Sequence, residues 1–150
     1  MTRRYGTPPH RNQGYRLRPG AYALLLGTDG RVLLTEQTTP DFTEVQLPGG
    51  GIDPGESPVP ALTREVLEET GYRCRIRRRL GAFRHFTYMV EYGFFAEKLC
   101  HVYLGQVGTR LSDPREAGHR ALWVAQHAAA DLIESEGASA FAYAALSRGV

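Results

Sequence analysis

A chain of 150 residues, 42% apolar and 23% charged, fits one globular domain with its own core and excludes a disordered segment. Its formal net charge of +2 provides no global field for a nucleic-acid or membrane surface, and no apolar run is long enough to span a bilayer. Two cysteines (Cys74 and Cys100) read as reduced core thiols, no HExxH zinc pair occurs, and the basic N-terminus lacks a secretion signal's apolar stretch, so a cytoplasmic protein is expected.

Residues 1–19 are polar, basic and proline-bearing (Pro8, Pro9, Pro19), which suggests an N-terminal arm or short strand preceding a domain at 20–150. From Ala21, two apolar runs flank Thr28-Asp29-Gly30, and Asp-Gly between such runs signals a hairpin. Leu47-Pro48-Gly49-Gly50-Gly51 should break any regular element. A helix is expected from Pro58 to Thr70, with Ser57 as its cap, Pro58 at the first helical position and Gly71 as a left-handed stop. Tyr72 to Leu80 then alternates as a strand, with Tyr72, Cys74, Ile76 and Leu80 inward and Arg73, Arg75, Arg77 and Arg79 outward. Arg78 interrupts that register. Phe86, Tyr88, Val90, Tyr92 and Phe94 alternate again, Leu99–Val107 reads as a strand and Ala121–Val124 as a short one. Alanine-rich stretches at Ala125–Ile133 and Ala138–Leu146 should be helices. The order predicts an α/β (α+β) protein with a mixed sheet covered by helices on both faces.

The chemistry concentrates in residues 50–72. Glu65, Glu68 and Glu69 stand at i, i+3 and i+4, so a helix carries all three on one face. Val59, Leu62, Val66 and Thr70 form the adjoining apolar face, and Ala61 falls among the carboxylates. Like charges at this spacing repel by about 0.2–0.5 kcal/mol per pair, and a hard divalent cation would offset that. Glu56 precedes the helix in a glycine-bordered loop that can fold back over it. Gly49 to Gly51 allow close backbone approach, so a carbonyl could join the ligands, and Arg64 can orient a neighbouring glutamate. A plain solvated acidic helix is the competing reading of these residues.

The stretch resembles the Nudix box, G-x5-E-x7-R-E-U-x-E-E-x-G-U, where U is a bulky apolar residue. Gly50, Glu56, Arg64, Glu65, Glu68, Glu69 and Gly71 occupy its fixed positions; the soft departure is Tyr72, where an aliphatic residue is usual. The resemblance implies the Nudix-type α/β/α sandwich and a hydrolase that cuts a phosphoanhydride bond in a nucleoside diphosphate linked to another moiety. It implies Mg2+ (or Mn2+) on Glu65, Glu68 and Glu69, with Glu56 as auxiliary ligand, the Gly49 carbonyl as another, and Arg64 as orienting residue. The general base would be Glu65 or a late-loop glutamate; Glu116 occupies a suitable place and Glu97 is a second candidate. The partner implied is a nucleotide small molecule, with no membrane, and a homodimer is an option because family members often pair.

Tyr88 lies 16 positions after Tyr72, a spacing similar to that in members that cut dinucleoside polyphosphates. Phe86 and Tyr88 could stack on a base, although alternating aromatics also serve as core. Triphosphates, dinucleoside polyphosphates and nucleotide sugars all stay open as substrates. The arginine row at 73–79 reads first as a charged edge strand that blocks aggregation, and second as a polyphosphate or RNA contact. His85 and His119 have no partner that the sequence names. Two other functions compete with the hydrolase: a sensor that binds a nucleotide without turnover, and a nucleic-acid binder built on the arginine row.

Overall fold

The computed structural model describes residues 2–150. Its elements run β1 (Arg3–Tyr5), β2 (Arg16–Leu26), β3 (Val32–Thr38), β4 (Thr43–Gln46), β5 (Gly49–Gly51), α1 (Pro58–Thr70), β6 (Tyr72–Met89), β7 (Phe94–Arg110), β8 (His119–Val124), α2 (Gln126–Leu132) and α3 (Glu136–Ser147). The sheet is ordered β1-β6-β7-β2-β3-β4, with β5 paired to β2 and β8 to β3. It is mixed: β2 lies parallel to β7 and β1 parallel to β6, while β6–β7, β2–β3 and β3–β8 are antiparallel.

Successive strand residues point to opposite faces, and here both faces are apolar. Leu24, Val32 and Leu34 pack with Val102, Leu104 and the α2/α3 residues Ala129, Ile133, Ala138 and Ala142. Their chain neighbours Ala23, Leu25 and Leu33 pack instead with Leu62 and Val66 of α1. Two cores therefore sandwich one sheet, with α1 on one side and α2 and α3 on the other, which is the α/β/α arrangement expected. Deleting Leu62, which is wholly buried, would cost about 2–5 kcal/mol.

Several local expectations need correction. β2 starts at Arg16 and pairs with β7 from its first residue, so it takes in the last residues of the stretch read as an arm. β1 is the short strand of the arm and docks on Phe83–His85. The Gly49–Gly51 stretch does not break regular structure; it forms β5 against Gly20–Tyr22. The strand expected at 72–80 runs on to Met89 as β6; of the second alternation only Phe86 and Tyr88 belong to it, since Val90 and Tyr92 lie in the turn and Phe94 opens β7. Register shifts between Tyr72 and Cys74, Ile76 and Arg78, and Arg79 and Gly81 admit extra residues into β6. The shift at Arg78 is the reason it breaks the inward alternation. On α1, Val59 is exposed and Ala61 buried, the reverse of their expected places. Ser57 stands at the N-cap but makes no side-chain cap bond. Gly71 ends the helix as expected, at φ 81° with its N–H on the Leu67 carbonyl.

Candidate metal and active site

Helix α1 has to bury one face against the sheet, and this brings its last glutamate inside. Glu69 is 6% exposed, and its Oε1 accepts a hydrogen bond from the Gly49 N–H at 3.1 Å. Only glycine fits at 49: with φ 148°, a Cβ there would collide with the Ala21 carbonyl. Burial pushes the Glu69 carboxyl up to about 9; the Gly49 N–H pulls it down, and the charges of Glu65, Glu116 and Glu68 push it further up. Glu65 is half-buried over Gly50, where a Cβ would come within 3.1 Å of its carboxyl carbon. Its acidity is also weakened, first by burial and then by Glu68, with Arg64 opposing. Arg64 spans three carboxylates, at 3.1 Å from Glu56 and 3.4 Å from both Glu65 and Glu68. Glu56 folds back as expected: its Oε1 accepts from the Asp53 N–H at 3.0 Å, and that bond, with Arg64, holds its carboxyl below the usual range.

A second segment completes the cluster. The carbonyls at a helix C-terminus lack intrahelical partners and seek donors elsewhere. The Glu68 carbonyl accepts from the N–H groups of Arg115 (2.8 Å) and Glu116 (3.0 Å), and the Gly71 carbonyl from that of Leu111 (2.8 Å). These bonds seat the 111–118 loop on the end of α1. Ligand-capable oxygens of Glu65, Glu68 and Glu116 then lie within 4.8 Å of one another, and so do those of Glu69 and Glu116 with a His119 ring nitrogen. The His119 side chain is 6% exposed, with Nδ1 3.0 Å from the Thr35 hydroxyl and Nε2 3.9 Å from Glu116. The sequence left His119 without a partner because Thr35, which holds its ring, is 84 residues away in the chain. The β3–β8 pairing, which sets His119 opposite Gln37, brings Thr35 to it, while Glu116 stands three residues before it in the chain.

A hard cation suits this oxygen-rich donor set, and it would offset the repulsion from Glu65, Glu116 and Glu68 that helps raise the Glu69 carboxyl. The chemistry of the donors therefore fits a divalent metal.

The cluster opens onto a cavity of about 890 Å³, lined among others by Gly49, Glu69, His119, Tyr22, Lys98 and Tyr88. Lys98, which nothing in the sequence singles out, also lines this cavity and brings an ammonium group to it. Tyr88 is half-exposed and braced edge-to-face on Phe95 at 4.9 Å. Phe86 is not brought there: His85 and Thr87 line the cavity, while Phe86 packs on Tyr15 at 5.0 Å. Glu97 faces Arg84 at 3.2 Å, apart from the cluster. The arginines at 73, 75, 77 and 79 are all exposed, and Arg79 contacts His101. Among the described residues no helix is long and apolar enough to cross a membrane.

Comparison with known proteins agrees with this geometry. The family model of the NUDIX domain matches residues 16–144. A Bacillus subtilis (strain 168) protein with the provisional name 8-oxo-dGTP diphosphatase is 36% identical over 76 residues, 51% of this chain and 50% of its own. The ADP-ribose pyrophosphatase of the same organism is 34% identical over 101 residues, 65% of this chain and 51% of its own. The chain thus spans about half the length of the curated relatives it matches. A solved NUDIX hydrolase from Nitrosomonas europaea superposes with a TM-score of 0.67 at 25% identity, covering 87% of this chain and 90% of that one.

Proposed function

The chain belongs to the NUDIX domain family, and we propose that it hydrolyses a phosphoanhydride bond in a nucleoside diphosphate linked to another moiety. The single observation that carries this reading is that Glu116 joins Glu65 and Glu68 on one side and Glu69 and His119 on the other, with Glu69 and His119 lining a cavity that also holds Lys98. Four carboxylates repel a polyphosphate unless a cation lies between, so the arrangement makes sense as a metal-bridged phosphate site. Glu65, Glu68 and Glu69 would hold Mg2+ or Mn2+, with Glu56 and the Gly49 carbonyl as auxiliary ligands and Arg64 keeping the glutamates in place. A bound divalent ion supplies charge neutralisation of the diphosphate and acidification of a water.

The chain's own groups do the rest. Water oxygen bonds to phosphorus as the bridging P–O bond breaks, and the water's proton passes to a carboxylate. Glu65 and Glu116 are the two acceptors within reach. Glu97 is not, since it faces Arg84 instead. Lys98 meets negative charge on the substrate, and Tyr88 offers its ring to a base. Catalysis is then positioning and charge stabilisation. The names of the relatives point to a modified triphosphate in one case and to ADP-ribose in the other, and the bond type proposed here is common to both. A nucleotide substrate also fits a cytoplasmic protein.

The test is product analysis after incubation with Mg2+ and a panel of canonical and oxidised triphosphates, dinucleoside polyphosphates, ADP-ribose and nucleotide sugars. Metal-dependent cleavage of one class, lost in Glu69→Gln, is expected. Tight binding of one compound with no turnover of any would replace the enzyme with a sensor.

A further inference from the structure

His119 is the one nitrogen donor in a cluster otherwise made of carboxylates. Its side chain is 94% buried by the 6% exposure given above, and its two ring nitrogens have different surroundings. Nδ1 is tied to Thr35, itself a buried residue at 2% exposure, at 3.0 Å. Nε2 is aimed at Glu116 from 3.9 Å, which is beyond hydrogen-bond reach. When Nδ1–H donates to the Thr35 hydroxyl, the tautomer is fixed and the Nε2 lone pair points into the cluster.

A single ion bridges such a gap. Two donors each about 2.1 Å from an octahedral ion stand about 3.0 Å apart when adjacent and about 4.2 Å when opposite. The 3.9 Å between Nε2 and Oε1 is shorter than the larger of these distances, so both atoms lie within reach of one shared ion. No other contact among the described residues engages Nε2: the ring sits on the first residue of β8, held from behind, and this nitrogen converges with Glu69 and Glu116.

We propose that Glu69, Glu116 and His119 Nε2 form a metal position of mixed oxygen and nitrogen donors, distinct from the all-oxygen group of Glu65, Glu68 and Glu116. The Glu116 carboxylate belongs to both groups and joins them. Imidazole suits transition ions, whereas Mg2+ prefers oxygen and water. This position therefore selects Mn2+ over Mg2+. The inference rests on the reading of the site as metal-dependent, but it makes a claim that the reading does not need.

The experiment is electron spin-echo modulation on the Mn2+-loaded protein, with a second sample carrying ¹⁵N-histidine. Modulation from a directly bound ¹⁴N is expected in the first and should change to the ¹⁵N pattern in the second. His119→Gln should abolish it and lower Mn2+ affinity about tenfold, with Mg2+ affinity changed less than about threefold. The labelled wild-type protein gives the answer even if that variant folds poorly. Bound Mn2+ without nitrogen modulation, or modulation that survives His119→Gln, overturns the proposal and leaves the hydrolase reading standing. A protein that binds no Mn2+ at all overturns both.

Discussion

Helix α1 and the 111–119 segment deliver acidic and basic groups to one place by opposite routes. On α1 the route is local: positions 65, 68 and 69 share a face because the helix has 3.6 residues per turn, and a buried apolar face fixes which way that face points. In the 111–119 segment the contacts that fix the site come from elsewhere in the chain. Glu116 is held by its own N–H and that of Arg115, both donating to the Glu68 carbonyl at the end of α1, and His119 by a strand pairing with β3. Helical periodicity writes a site into the sequence as a pattern, while a loop seated on orphan carbonyls leaves no pattern. If both halves act as one unit, damage to either should be comparable in kind, though not in size.

The largest effect is expected at the point where the two halves meet in the interior. Glu69→Gln should lower turnover by about 10³-fold, the several kcal/mol that a metal's charge stabilisation supplies. The same variant should stabilise the metal-free protein. The Glu69 carboxyl is raised in the fold from an ordinary 4.5 to about 9. Its contribution is therefore complete below about pH 4.5 and is lost as pH rises towards 9. Melting in EDTA should show Tm falling from pH 5 to pH 9 in the wild type, with a flatter profile in Glu69→Gln. Added Mg2+ should restore most at the alkaline end.

Next in size is Glu116→Gln, from the other half. Steady-state kinetics should show about a 10²-fold loss in turnover, with little change in Tm because the side chain is exposed. An unchanged rate would separate the loop from the site and break the comparison.

Gly71→Ala attacks the joint itself. The added Cβ would meet the Ser112 carbonyl at a left-handed backbone position, which should cost about 1–3 kcal/mol in denaturant unfolding. Activity should fall beyond what the lost stability explains, because the loop that carries Glu116 is displaced. The smallest effect is expected for Glu97→Gln. It breaks a half-exposed pair with Arg84, worth at most about 1 kcal/mol, and turnover should stay within about twofold.

What could be read from the sequence follows the same division. The sandwich, α1, its glycine stop and the face shared by Glu65, Glu68 and Glu69 were all readable, since each depends on periodicity or on one residue's conformational limits. The continuous β6 was not, because bulges at 72–81 shift the side-chain parity in a way that simple alternation cannot track. Phe86 and Tyr88 looked equivalent by spacing, yet only Tyr88 lines the cavity, at the rim where β6 ends. Lys98 and His119 were missed for a related reason. Each owes its position to strand neighbours far away in the chain, with Lys98 opposite both Arg18 and His85.

The most direct test of the union of the two halves is calorimetric titration of Mg2+ into the wild type, Glu69→Gln, Glu116→Gln and the double variant. If helix and loop form one site, each single variant should weaken Mg2+ binding about 10–100-fold, and the double should be little worse than the weaker single. Wild-type Mg2+ affinity in Glu116→Gln, or losses that simply multiply in the double variant, would contradict it.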